Sequence, residues 1–321
     1  MESNNFYFAF EAKYRGSREL IKSRQQVYIP FVQQLQLVYA DCSVLDLGCG
    51  RGEWLELMQE HGVAVKGIDL NDDMISACKN RGFAVEKRDA LAALQALPDE
   101  SICVISGFHI AEHIPFDILQ DLVKEAKRVL RPAGLLILET PNPENPMVGS
   151  CNFYTDPSHI HPLPPTLLSF IPQYENFARV KVLRLQEDPA LHDAEQIALI
   201  HAVAGASPDY AIIAQKNADP SLISLFDNLF SKEYGLTIGM LCDAYDMTVR
   251  RIVGKGVSML YGRKNSPYPL GADMLSITTA GVSLEGFFPI ESWGAWAGED
   301  CKIHEPVSKV ATRDKPIGKQ T

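Results

Sequence analysis

The chain has 321 residues, 46% of them hydrophobic, and a formal net charge of −10. That length fits one large domain or two smaller ones, with ample apolar residues for a core. The acidic balance argues against a general nucleic-acid binder, which needs clustered Lys and Arg to meet phosphates. Seven cysteines, at 42, 49, 78, 103, 151, 242 and 301, show no C-x-x-C spacing. They fit a reducing cytoplasm better than a disulfide or zinc framework. No basic-then-apolar leader and no run of 18 apolar residues occurs, so neither a signal peptide nor a membrane span is expected.

Residues 1–40 read as an N-terminal arm, with basic residues among aromatics in Phe6-Tyr7-Phe8 and Lys13-Tyr14-Arg15-Gly16-Ser17-Arg18. From 43 to about 139, strand and helix signals alternate, as in a parallel sheet covered on both faces. Strands are predicted at 43–47, 64–69, 83–87, 101–106 and 134–139, and helices at 53–61, 72–81, 89–97 and 116–130. The last helix carries Leu119, Leu122, Ala126 and Val129 on one face and stops at the breaker Arg131-Pro132-Ala133-Gly134. A proline-rich loop from 141, a helix at 165–175 and strands at 178–185 and 209–214 complete a seven-stranded sheet. Residues 186–207 form a partly helical insertion. The sheet domain is bounded at 41–217. A helical connector over 218–254 follows, and its segment 220–253 could dock on the sheet domain or pair with a second copy of the chain. Residues 255–321 read as a small β-rich appendage containing Trp293-Gly294-Ala295-Trp296.

The most informative stretch is Val44-Leu45-Asp46-Leu47-Gly48-Cys49-Gly50-Arg51-Gly52. A buried run ends in glycines at alternate positions, then a helix begins. Glycine has no Cβ, so a ligand can lie against such a turn. Seventeen residues past Gly52, the second strand ends in Asp69, an acid placed to accept ribose hydroxyls. A dinucleotide pattern counted from Gly48 would need glycine at 53, where Glu53 stands. A carboxylate at that helix start would repel a pyrophosphate. The expected ligand is therefore a nucleoside without phosphates.

D-x-G-x-G-x-G followed by an acid ending the second strand resembles class I S-adenosylmethionine-dependent methyltransferases, and Arg131–Gly134 resembles the turn before their fifth strand. The resemblance implies an α/β, Rossmann-like seven-stranded sheet and S-adenosyl-L-methionine as cofactor. It implies that Asp46, Gly48, Cys49, Gly50, Asp69 and Leu70 surround the donor. Asp89 and Ala90 would stand at the adenine edge, with Gly107 and Phe108 on the donor's other side. The donor's carboxylate needs a cation, which Arg15 or Arg24 could supply, with Tyr14 beside them. No metal site is expected, because two histidines four residues apart make only two ligands.

Methyl transfer to a hydroxyl needs a base. His109 and His113 follow the fourth strand, four residues apart and so on one face of a helix. His159 and His161 lie in Asp156-Pro157-Ser158-His159-Ile160-His161-Pro162 after the fifth strand, where acceptors bind in such sheets. The candidate bases are His113, His159 and His161, with Tyr154 and Asp156 as weaker candidates. The arm, the D-P-S-H loop and the strip Gly286–Trp296 resemble O-antigen chain-terminating methyltransferases. That narrower resemblance implies a glycan or lipid-linked polysaccharide acceptor, a glycosyltransferase partner and a cytoplasmic site of action, peripheral to the inner membrane through a partner. Two rival readings stand beside it. One is a small-molecule methyltransferase acting on a quinone precursor. The other is a non-catalytic scaffold that binds the cofactor and recruits a glycosyltransferase.

Overall fold

A computed structural model describes residues 16–261, 283–290 and 294–304, with side chains through residue 252. Tyr14, Arg15, Trp293 and the Trp296 side chain lie outside the described residues.

Seven strands form one sheet: β1 (Ser43–Leu47), β2 (Ala64–Asp69), β3 (Val85–Lys87), β4 (Ile102–Phe108), β5 (Leu130–Pro141), β6 (Arg179–Leu185) and β7 (Asp209–Gln215). Their order is β3-β2-β1-β4-β5-β7-β6. Pairings from β3 to β5 are parallel, and β7 runs antiparallel to both neighbours. The chain moves outward from β1 to β3 and then crosses to β4. That reversal opens a crevice beyond the carboxyl ends of β1 and β4, where ligands bind in open α/β sheets.

Alternate side chains go to opposite faces of each strand. Leu45, Leu47, Ile105, Leu136 and Leu138 pack on one face with Leu119, Leu122 and Val123 of the helix Phe116–Val129. Val44, Val104, Leu135 and Ile137 pack on the other with Trp54, Leu57 and Met58 of the helix Glu53–Glu60. Both faces are covered, so these strands read as continuous apolar runs.

Part of the N-terminal arm proves to be core. The helix Arg18–Gln25 is capped by Ser17, whose side chain accepts from Leu20 N–H. Arg18 and Lys22 pair with Glu56 and Glu60 on the helix after the glycine turn. In the next helix, Ile29–Val38, Phe31, Val32 and Leu35 join Tyr28 against Trp54 and Phe108. Tyr28 and Phe31 have no exposure. Phe31→Ala should cost about 3–5 kcal/mol. The check is a lower urea midpoint at unchanged slope; a loss under about 1 kcal/mol would show the helix to be a dispensable cover.

The breaker at 131–134 lies inside β5 instead of ahead of it. Ala133 takes a left-handed φ of +59°, and the β4–β5 register shifts between Ile102 and Val104. The strand thus absorbs the kink as an irregularity at its start.

The chain divides into two compact units, Met1–His192 with Val203–Ile238 and Asp193–Ala202 with Gly239–Thr321. The first extends past the anticipated 217 because Phe226, Leu229 and Phe230 join its core and Arg179 bonds Asp227 at 2.6 Å. Within the connector, the helices Pro220–Ser224 and Asp227–Ser231 belong to the first unit. The second unit contains most of the helix Ile238–Tyr261 and the hairpin of β8 (Ser283–Ile290) with β9 (Gly294–His304). Among the described residues, no helix is long and apolar enough to cross a membrane, and the six described cysteines are free thiols.

Candidate active site

The crevice holds a cavity of about 370 Å³ walled by Gly48, Gly50, Asp69, Asp89 and Phe108, among others. Gly48 has φ +67°, and a Cβ there would come within 3.0 Å of the Ile110 side chain. Only a residue without a side chain holds the backbone open against a ligand at that point. Asp69 closes β2 with its carboxylate fixed at both oxygens. Oδ2 accepts Gly50 N–H at 2.9 Å and Oδ1 accepts Asn71 N–H at 2.8 Å. Each oxygen keeps a second lone pair, so the oriented pair can still accept a vicinal diol.

Leu70, Met74, Ala90 and Leu91 make an apolar wall beyond Asp69. Leu70 is 63% exposed and borders the cavity, where it can lie under a flat base. Asp89 caps the helix Ala90–Gln95, its Oδ1 accepting Ala92 N–H at 2.9 Å, and still faces the cavity. A glycine cradle, a diol acceptor and an apolar slot fit the nucleoside of S-adenosylmethionine. When bound, that cofactor supplies an electrophilic methyl on a sulfonium.

Other anticipated donor contacts do not line the cavity. Asp46 is buried in the sheet, where its Oδ1 accepts from Ser106 Oγ at 2.7 Å. Cys49 is buried 2.7 Å from the place a Gly67 Cβ would occupy, and its thiol, hydrogen-bonded to Cys78 and buried, is held well above its usual range. A Cβ on Gly107 would strike Ile110 at 2.7 Å, so that glycine makes room for Ile110. These three hold the wall from behind. Arg24 is half-buried, and its charge acts on Asp209. Glu53 is buried with Arg51 Nε at 2.8 Å and Arg18 at 3.8 Å. Its charge is therefore compensated, and it repels a phosphate less than the sequence suggested. Arg88 is the only Lys or Arg among the described residues that line the cavity.

At the far end, His109, at φ +55°, is not helical, and Ala111–His113 is a single 3₁₀ turn. The two histidines therefore do not share a helical face. His109 instead faces acids: Glu112 at 3.2 Å, Glu139 at 3.6 Å and Asp209 at 3.9 Å. Burial alone would lower its pKa, but these carboxylates override that and hold it well above the usual imidazole range. Burial pushes Asp209 up to about 6, opposed by His109. Tyr28 donates its hydroxyl to Glu139 Oε2.

His113 meets His159 edge-on, with ring centroids 4.7 Å apart. His159 Nδ1 donates to Phe153 O at 2.6 Å, and Nε2 is the ring nitrogen that faces Glu112 and Asp156, each at 3.9 Å. His113 Nδ1 lies 3.1 Å from Ser158 Oγ and 3.3 Å from Ser158 O. Ser158 Oγ donates to Asp156 Oδ1 at 2.6 Å, so it accepts from His113. Burial lowers the His113 pKa, partly offset by Glu112. His161 stands apart, its ring 6.4 Å from that of Phe116. Tyr154 is exposed. Sequence reasoning missed Glu112, Glu139 and Asp209 as site residues.

A family model described as a methyltransferase domain matches residues 15–175, half of the chain. A solved S-adenosylmethionine-dependent methyltransferase from Archaeoglobus fulgidus is 35% identical, with a TM-score of 0.59. The match covers 66% of this chain and all of that one. A Mycolicibacterium smegmatis protein named "Probable S-adenosylmethionine-dependent methyltransferase" is 34% identical over 110 residues, 34% of this chain and 42% of that protein. A ubiquinone biosynthesis O-methyltransferase from Coxiella burnetii is 27% identical over 123 residues, 36% of this chain and 50% of that protein. The chain thus spans half or less of the length of these curated relatives.

Proposed function

This chain belongs to the methyltransferase domain family and carries an S-adenosylmethionine-dependent methyltransferase domain; on that premise we propose that it methylates a hydroxyl oxygen, the terminal sugar of a bacterial surface polysaccharide being the acceptor. Such a methyl ether caps the chain end and stops extension. The observation that carries the hydroxyl reading is the pair His113 and His159. Each presents its Nδ1 to an oxygen acceptor, which leaves the other ring nitrogen basic. A phosphate or carboxylate acceptor is already anionic and needs cations, not bases.

The chain's own residues divide the work. Gly48, Gly50 and Asp69 hold the donor's nucleoside, and Arg24 supplies positive charge near the acid cluster. His113, which borders both the cavity and His159, positions the acceptor. The hydroxyl loses its proton to the basic side of this pair as its oxygen bonds the methyl carbon. The carbon–sulfur bond breaks and leaves a neutral thioether.

A quinone-type phenol is the second reading, favoured by the likeness to the Coxiella burnetii protein. Two measurements separate them. Mass spectrometry of surface glycan from cells with and without the gene should show a terminal O-methyl only with it. Purified protein should transfer labelled methyl to that glycan and not to a polyprenyl catechol. The reverse preference would replace the glycan reading with the phenol.

A further inference from the structure

The geometry points to a divalent-cation site formed by Glu112, His113 and His159 at the acceptor end of the cavity, taking a transition ion of the Mn²⁺, Co²⁺ or Zn²⁺ class. One nitrogen from each imidazole and one carboxylate oxygen lie within 4.8 Å of one another. His159 Nε2 is 3.9 Å from Glu112 Oε1 and 3.9 Å from Asp156 Oδ2, a candidate fourth ligand. Two ligands about 2.1 Å from a tetrahedral ion lie about 3.4 Å apart. The His159–Glu112 pair therefore needs to tighten by only about half an ångström to hold such an ion.

Two independent observations support a ligand here. The first is Glu112 itself. Its side chain has no exposure, and Oε1 accepts no aligned hydrogen bond, although His109 Nδ1 stands 3.2 Å away. The His109 charge offsets this oxygen in part, and without an aligned hydrogen bond it can still accept a cation. The second is the support around each ligand. His159 is oriented by Phe153 O, His113 by Ser158, and Glu112 by Thr140 Oγ1, which donates to Oε2 at 2.9 Å. Metal-binding histidines characteristically donate their other N–H to an oxygen in this way, fixing tautomer and ring plane.

The neighbouring group His109, Glu139 and Asp209 has comparable spacing. It is already served internally, since Glu139 accepts from Tyr28 and its charges meet His109. Glu112 Oε1 also meets His109, but it is the carboxylate oxygen that accepts no aligned hydrogen bond. Three protein ligands leave positions open for water or an acceptor oxygen. An ion there would occupy both imidazole lone pairs and so replace the pair as base: it would lower the pKa of a bound hydroxyl, whose proton leaves to water. This step rests on the hydroxyl reading above; the ion site does not.

The test uses full-length protein stripped with EDTA and titrated by calorimetry with Mn²⁺, Co²⁺ and Zn²⁺, with Co²⁺ also followed by visible absorption. One ion per chain should bind saturably. Affinity should fall at least tenfold in His113→Ala, His159→Ala and Glu112→Gln, and stay unchanged in His192→Ala. Donor binding, measured on each variant, certifies the fold; any variant that loses it is replaced by His159→Gln. No saturable binding of any of the three ions, or wild-type affinity in both histidine variants, overturns the site. Ion binding without methyl transfer to glycan or catechol overturns the acceptor reading alone. Methyl transfer by protein that binds no ion overturns the ion site alone.

Discussion

Asp69→Ala should weaken S-adenosylmethionine binding by about 100-fold or more while leaving the protein folded. The two hydrogen bonds a ribose diol would give this carboxylate are charge-assisted, each about 1.5–3 kcal/mol. Losing both removes about 3 kcal/mol at the low end, or two decades at about 1.4 kcal/mol per decade. The substitution also takes the acceptor from Gly50 N–H and Asn71 N–H, so the glycine turn loses its anchor to the end of β2. Asp69→Asn should fall close to alanine. Its oxygen can serve one backbone N–H, but its amide then faces the other donor. Titration calorimetry on variants with native circular dichroism reads this directly. Binding within threefold of wild type in Asp69→Ala would remove this residue from the donor site.

The strands, and several residues that border the cavity, were legible because their signals are local. Buried parallel strands are continuous apolar runs, and glycine and aspartate punctuate their ends. β1 and β2 fall where expected, and Gly48, Gly50, Asp69 and Asp89 all border the cavity. Asp46 and Cys49 sit in the same motif but serve its underside, a distinction the motif's letters do not encode. Residues 28–35 did carry a signal: Tyr28, Phe31, Val32 and Leu35 recur at three and four, the mark of a helix with a buried face. Their basic neighbours led the segment to be read as part of the arm instead.

The acid cluster is different in kind. Glu139 and Asp209 are 70 residues apart, and only the antiparallel register of β5 with β7, which sets Pro141 opposite Asp209, brings both to His109. Nothing near either residue announces this. Likewise, the spacing of His109 and His113 suggested a shared helical face. The left-handed turn at His109 instead sends one imidazole to the acids and leaves the other to a loop 45 residues on. That rearrangement places Glu112 between them, so a pair of ligands became a candidate three-ligand site.

The same arrangement sets the second large effect. His113→Ala and His159→Ala should each lower kcat by about 100-fold or more, within the range for a lost acid–base group. Whether the two imidazoles take the proton directly or hold an ion that acidifies the hydroxyl, they serve one event. Residues that act as a unit are non-additive. The double variant should therefore be no slower than the slower single variant by more than about threefold, where independent roles would multiply to about 10⁴. His161→Ala should stay within about threefold of wild type, since its ring packs with Phe116 and not with this pair. His159→Ala should also leave donor affinity unchanged, because His159 does not line the donor cavity. Single-turnover rates at saturating donor make the comparison free of product release. Multiplying losses would assign the two histidines separate tasks, and wild-type rates in both single variants would remove the proton-accepting role from this pair.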